Sequence, residues 1–232
     1  MDVEPTVLVM ASVRRTPLRE RPFPDYTPRE EMLHSASHAL GVLCVPVMMW
    51  LSVRDCTTPL AAACIIIYLT TVLITFLGSS IYHGLPKGMP KQVMRVVDHC
   101  DIFFTIAGTY TPITVIGICP VNPALGWSIF CIEWGLAIIG AVLNAIDLKK
   151  YSKFSMACYL GMGWCVIISL KATIEAMTLT GFLWIIAGGV AFTVGAVTYL
   201  IGKRRRYMHF VFHVFVLIGI LLQFVGVWRY LV

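Results

Sequence analysis

The sequence predicts an all-α, polytopic membrane protein: a bundle of seven transmembrane helices, N-terminus in the cytoplasm and C-terminus outside. Three observations carry this. Apolar residues make up 58% of the 232 positions and charged residues 13%, against about 45–50% and 25% in soluble domains. Mean hydropathy is +0.82. The apolar residues gather into seven runs of roughly the length that crosses a bilayer core of about 30 Å. A soluble, disordered, collagen-like or disulfide-scaffolded chain is thereby excluded. The net charge of +6 does not signal nucleic acid, because the basic residues punctuate apolar runs instead of forming one face.

Residues 1–31 are polar and contain Arg14, Arg15, Arg19, Arg21 and Arg29, and read as a flexible cytoplasmic tail. The short apolar run Val7 to Ala11 follows acids and precedes arginines, the reverse of a signal peptide, so no cleavage is expected. Thr27, Pro28 and the acids Glu30 and Glu31 mark a helix start. The bundle, residues 32–232, then comprises runs at about 32–52, 60–84, 93–117, 125–146, 153–171, 181–201 and 208–231. The gaps carry Arg54-Asp55, Pro86 to Pro90, Pro120 to Pro123, Lys149-Lys150, Glu175 and Lys203 to Arg206. Pro46 and Pro112 fall inside runs and predict kinks, which membrane helices tolerate. Ala187, Ala191 and Gly195, with Gly188-Gly189 and Gly161-x-Gly163, read as sites of close helix approach. The eight cysteines have no zinc-ribbon spacing; Cys56 and Cys119 lie in short connections where a pair could form.

Orientation follows from Lys and Arg. Fifteen of the eighteen fall in the N-terminal segment and the second, fourth and sixth connections, leaving Arg54, Lys171 and Arg229 on the other side. The positive-inside rule therefore places the N-terminus inside, opposite to receptors that couple to G proteins. Trp50, Trp127, Trp184 and Trp228 then fall near outer helix ends, as an interfacial belt predicts.

Ionisable residues inside spans cost something like 2.5–3.5 kcal/mol each on insertion scales and mark function. Here they are His34, His38, His83, Asp98, His99, Asp101, Glu133, His209 and His213. The topology puts all but Glu133 near the inner leaflet. His209 and His213 are four apart, so both imidazoles leave one helix face about 6 Å apart along the axis, which suits two ligands of one tetrahedral zinc. Ser79 stands four before His83, a third imidazole. Asp98 is within reach of a metal-bound water, and Asp101 lies one turn beyond it. His34 and His38 form an equally spaced pair, and Glu31 adds a carboxylate, so spacing leaves a rival ligand set open. His99 points about 100° from Asp98 and reads as interfacial. Glu133 is expected to hydrogen-bond within the bundle. The cluster Lys203 to Arg206 reads as a topology determinant facing anionic lipid.

Several motifs together resemble the haemolysin III and progestin/adipoQ receptor family. They are Glu30-Glu31 followed by His38-Ala39-Leu40-Gly41; Ser79-Ser80-Ile81-Tyr82-His83; Arg95-Val96-Val97-Asp98-His99 running into Ile106-Ala107-Gly108-Thr109-Tyr110-Thr111-Pro112; Gly161-Met162-Gly163-Trp164; and His209-Phe210-Val211-Phe212-His213. The resemblance covers roughly residues 28–232. It implies a seven-helix bundle with zinc on His83, His209 and His213, Asp98 holding the zinc-bound water and Ser79 beside it. His38, Asp101 and Glu31 become further polar candidates in the cavity. Many haemolysin III members carry Asn where His34 stands. The resemblance further implies a zinc-dependent hydrolase of membrane lipids, ceramidase-like, acting on a sphingolipid or other acyl lipid in the plasma membrane or an endomembrane such as the Golgi. Its rivals are a receptor for a steroid, small hydrophobic ligand or protein with structural zinc, and a haemolysin-like pore. The short outer connections leave little surface for a protein hormone, and no amphipathic pore-lining helix is visible.

Overall fold

The computed structural model describes residues 17–232, and among these it is all-helical, without strands. The long helices are α1 (Pro28–Asp55), α2 (Pro59–Gly84), α3 (Met89–Pro112), α4 (Pro123–Asp147), α5 (Ser152–Gly163), α6 (Leu170–Gly202) and α7 (Met208–Leu231). A π-helical stretch, Ile113–Ile118, and a last turn, Cys119–Val121, extend α3. Among the described residues, six helices are long and apolar enough to cross a membrane: α1, α2, α3 with its extension, α4, α6 and α7.

Start signals in the sequence act as local chemistry requires. Thr27 accepts from the Glu30 N–H while Glu30 reaches back to the Thr27 N–H, a complete capping box with Pro28 in the first turn. Thr58 caps α2 and Asn122 caps α4. Helix α1 shows why this is a membrane bundle. Its buried face is Glu30, His34, His38, Gly41, Val45, Met48 and Ser52, while Leu40, Leu43, Val47 and Trp50 are exposed. Polar groups turn inward and large apolar side chains outward, as lipid demands.

Neighbouring helices are keyed by small residues and hydroxyls. Ser35 donates to the Ser80 carbonyl and Ser80 to the Ser35 carbonyl, at 2.9 and 3.2 Å, which sets α1 against α2. Gly41 lets the Phe76 ring approach; a Cβ there would stand 2.6 Å from it. Thr75 pairs with Thr105 between α2 and α3. Along α6 the approach stripe is Gly188, Ala191 and Gly195, whereas Ala187 is exposed. Gly161 and Gly163 do not pack as expected: a Cβ on either meets nothing within 4 Å.

The expected fifth span, 153–171, is not one helix. Helix α5 ends at Gly163, a 3-10 turn occupies Cys165–Ile167, and α6 begins at Leu170. Tyr110 repairs the break by donating to the Gly163 carbonyl and accepting from the Val166 N–H, at 3.2 and 2.7 Å. A second break follows at Thr178, with φ 65° and ψ 165°, a backbone region that β-branched residues rarely adopt. Pro112 leads directly into the π-helical stretch, so its expected kink takes that form, while α1 runs on through Pro46. All eight cysteines are free, so Cys56 and Cys119 do not pair.

Of the segment expected to form a tail, residues 1–16 lie outside the described residues. Residues 17–27 are bound to the bundle: the Arg21 carbonyl accepts from Gln92, the Pro22 carbonyl from Arg95, and Arg21 donates to the Ile146 carbonyl. This lays Tyr26 across the end of the bundle where α1, α3 and α7 begin.

Candidate metal centre

Five histidines from three helices meet at that end. His34 and His38 come from α1, His83 from the last turn of α2, and His209 and His213 from the first turns of α7. All are buried, His34 completely. The α6–α7 connection is pinned to α1 by Glu30, whose carboxylate accepts from the Tyr207 N–H at 2.8 Å and from Arg206 at 3.1 Å. Tyr207 itself adopts a left-handed backbone, φ 62°, immediately before α7. Gly202 permits the close return, since a Cβ there would lie 3.0 Å from the His209 nitrogen.

The Nε2 atoms of His209 and His213 face each other at 3.1 Å. This is close to the nitrogen–nitrogen edge of about 3.3 Å expected around a tetrahedral zinc with bonds of about 2.0–2.1 Å. His83 Nδ1 lies 2.7 Å from Glu31 Oε2. A carboxylate at Nδ1 fixes the tautomer that presents a lone pair at Nε2, and His83 Nε2 is buried with no protein partner. Glu31 is itself held by Lys91 at 3.0 Å, and Lys91 also donates to the His83 and Leu85 carbonyls. One ring nitrogen from each of His34, His83 and His209 lies within 4.8 Å of the others. The donor set therefore fits a divalent borderline metal: buried imidazoles, an orphaned nitrogen, and a carboxylate behind one ring.

The sequence-derived candidates fall on different sides of this cluster. Ser79, Asp98, His38, His209 and His213 line one cavity of about 660 Å³ that extends among α3, α4, α5, α6 and α7. The Ser79 hydroxyl faces the Asp98 carboxyl. Arg95, Lys149 and Lys203 stand at the same end, and the wall beyond them turns apolar with Ile106, Trp164, Phe192 and Ile220. Glu31 sits on the opposite side, behind His83. Asp101 is not in that cavity; its carboxylate is turned toward Gly78 on α2. Glu133 lies elsewhere, buried beside the Cys165 thiol.

Tyr26 has no signal in the sequence, and His34 has one only as half of the rival pair with His38. His34 is ringed by His83, His209 and His213, with ring centres 4.6, 4.7 and 5.2 Å away. The signal was present in the His34/His38 spacing, which the family resemblance discounted. Tyr26 stacks on His209 at 5.1 Å and meets His34 edge-on at 4.8 Å. Burial pushes its phenol well above the ordinary tyrosine range, with smaller contributions from Tyr199, Glu31 and Asp98. His99, expected to be interfacial, is drawn to the cavity instead. Its Nδ1 is 2.8 Å from the Arg95 carbonyl and 3.4 Å from Asp98, and Asn144 and Tyr159 both donate to its carbonyl.

The chain matches known proteins over this whole arrangement. The family model "Haemolysin-III related" matches residues 26–224. Hemolysin-3 of Bacillus cereus is 30% identical over 199 residues, covering 84% of this chain and 89% of that protein. The Hemolysin-3 homolog of Bacillus subtilis (strain 168) is 31% identical over 197 residues, covering 84% and 91%. The human Monocyte to macrophage differentiation factor is 25% identical over 167 residues, covering 67% of this chain and 65% of its own length. The matched stretch runs from Tyr26 through all five clustered histidines, and the chain is a multi-pass integral membrane protein belonging to the haemolysin III family.

Proposed function

We propose that the protein is a zinc-dependent hydrolase of an amide or ester bond in a membrane lipid, ceramidase-like in reaction type. Its ligands are His83, His209 and His213, its general base is Asp98, and Ser79 is a hydrogen-bonding partner. One observation carries the reading: two imidazoles at metal-ligand spacing share a cavity with a carboxyl and a hydroxyl, and that cavity continues into an apolar wall. When bound, zinc supplies Lewis acidity toward the scissile carbonyl and acidifies water at an open position.

The chain's own residues do the rest. Glu31 orients His83 through Nδ1. Asp98, on α3, is placed to take a proton from the attacking water and to return it to the leaving group. Ser79, one turn before His83, hydrogen-bonds the metal shell or the developing oxyanion. The apolar wall admits an acyl chain, and a cavity of about 660 Å³ falls within the roughly 300–1,000 Å³ of small-molecule sites. The relatives' printed name, hemolysin, describes a lytic activity. Here the charged lining gathers at one end of the bundle, which supports a binding cavity over a continuous polar pore.

The same proposal includes seven crossings with the N-terminus inside. Residues 152–177, helix then 3-10 turn then helix, would extend about 39 Å at 1.5 Å per residue, enough for a span, before Thr178 breaks the chain. The break at Gly163 is compatible with lipid depth because Tyr110 satisfies its backbone groups. The Lys and Arg distribution supplies the orientation.

The test uses purified full-length protein in nanodiscs. One zinc per chain, turnover of ceramide-like lipids, and loss of turnover with metal retained in Asp98→Asn are expected. Metal-free wild-type protein, or turnover unchanged in Asp98→Asn, would overturn the reading.

A further inference from the structure

We propose that His34 is a fourth protein ligand of the metal site, completing with His83, His209 and His213 a shell of four imidazoles. The inference rests on the metal reading above and goes beyond its three-histidine shell. The rings of His34, His83, His209 and His213 form six pairs. Their centres are 4.6, 4.7, 5.2, 5.4, 5.1 and 4.7 Å apart. Adding the radius of an imidazole to a zinc–nitrogen bond of about 2.0–2.1 Å puts the ring centres of a tetrahedral four-histidine site about 5 Å apart. The four ring centres therefore stand at the corners of a nearly regular tetrahedron of that size; nitrogens of His34, His83 and His209 lie within 4.8 Å of one another, and His213 joins through its Nε2, 3.1 Å from that of His209.

The orphan atoms agree. His34 is fully buried, and neither of its ring nitrogens has a hydrogen-bond partner among the described residues. A buried imidazole with nothing to bond is costly, and a ligand bond removes that cost. His38 shares the orphan nitrogens but not the position: its ring packs against Phe76 and His213.

Placement gives the fourth imidazole a consequence. His209 and His213 line the cavity that holds Asp98 and Ser79, whereas His34 lies outside it, beneath Tyr26. A metal held by all four imidazoles would present no open position to Asp98.

The test counts ligands. X-ray absorption at the zinc edge is recorded on purified full-length wild type and on His34→Asn, alongside metal content and the rate of metal removal by a chelator. Four imidazoles in the wild type, falling to three plus a light-atom ligand in His34→Asn with metal removal at least about tenfold faster, is the expected result. Three imidazoles in both proteins would overturn the role of His34 while leaving the three-histidine site standing. Wild type purified without metal, and unable to take up added zinc, would overturn the site itself. The wild-type ligand count alone decides the matter should His34→Asn fail to fold.

Discussion

Helices α1 and α7 each carry two histidines four residues apart, and the two pairs have different fates. On α7, His209 and His213 turn their Nε2 atoms toward each other at 3.1 Å. On α1, His34 enters the ring of imidazoles, while His38 slides past it to stack on His213 with centres 3.9 Å apart. Equal spacing guarantees a shared helix face but not a shared target. What separates the pairs is the facing surface: α7 presents both rings to the end of α2, whereas α1 crosses so that one histidine meets His83 and the other meets Phe76.

The largest effect expected tests this difference directly. His209→Ala or His213→Ala removes a ligand from the converging pair, and zinc content after a chelator challenge should fall well below one per chain and below that of His34→Asn. His38→Ala should leave zinc content unchanged. Elemental analysis of the purified variants checks both statements, and metal loss in His38→Ala would erase the distinction between the pairs. Next comes the chemistry those ligands serve. Asp98→Asn should keep the metal and reduce turnover of a lipid amide by about 10²–10⁴, the usual contribution of a positioned general base, as measured by product release in nanodiscs.

The third prediction concerns what holds His83 toward both pairs. Glu31 accepts from Nδ1 of that ring at 2.7 Å and is the last link from Lys91. Glu31→Gln should weaken zinc affinity by about 10–100-fold, as loss of an outer carboxylate does at other sites, with the helical content retained. Competition against a chromophoric chelator measures it, and an unchanged affinity would show that the Glu31 contact merely neutralises Lys91.

How far the sequence exposes this site depends on which interactions have a period. Apolar runs, the cap at Thr27, and the lateness of His83 and earliness of His209 in their helices all leave a pattern in the chain, and the structure places them accordingly. The break after Gly163 leaves none, because its backbone groups are satisfied from another helix by Tyr110. Nor does Thr178 announce itself, being a β-branched residue where glycine would be expected. Asp101 shares its spacing with true cavity residues, yet a turn of α3 swings it toward Gly78. His34 is legible as half of an equally spaced pair, but spacing does not tell which member of the pair meets the other imidazoles. Its position became apparent only once α1 was registered against α2, and register between helices has no local code.

That register is where the smallest effects lie, and two substitutions divide it. Gly41→Ala on α1 brings a Cβ within 2.6 Å of the Phe76 ring, and overpacking of this kind costs about 1–3 kcal/mol. It also pushes on the ring that His38 touches, so thermal stability should drop while zinc content holds. Ser80→Ala removes only the longer of the two reciprocal serine bonds, the 3.2 Å donation to the Ser35 carbonyl, and leaves the 2.9 Å bond in place. Polar contacts between membrane helices average about 0.6 kcal/mol, so its melting temperature should move less than that of Gly41→Ala. The order matters more than either value. Should Ser80→Ala prove the costlier, the serine pair and not the glycine–phenylalanine contact would be what sets α1 at the height that delivers His34, but not His38, to the other three rings.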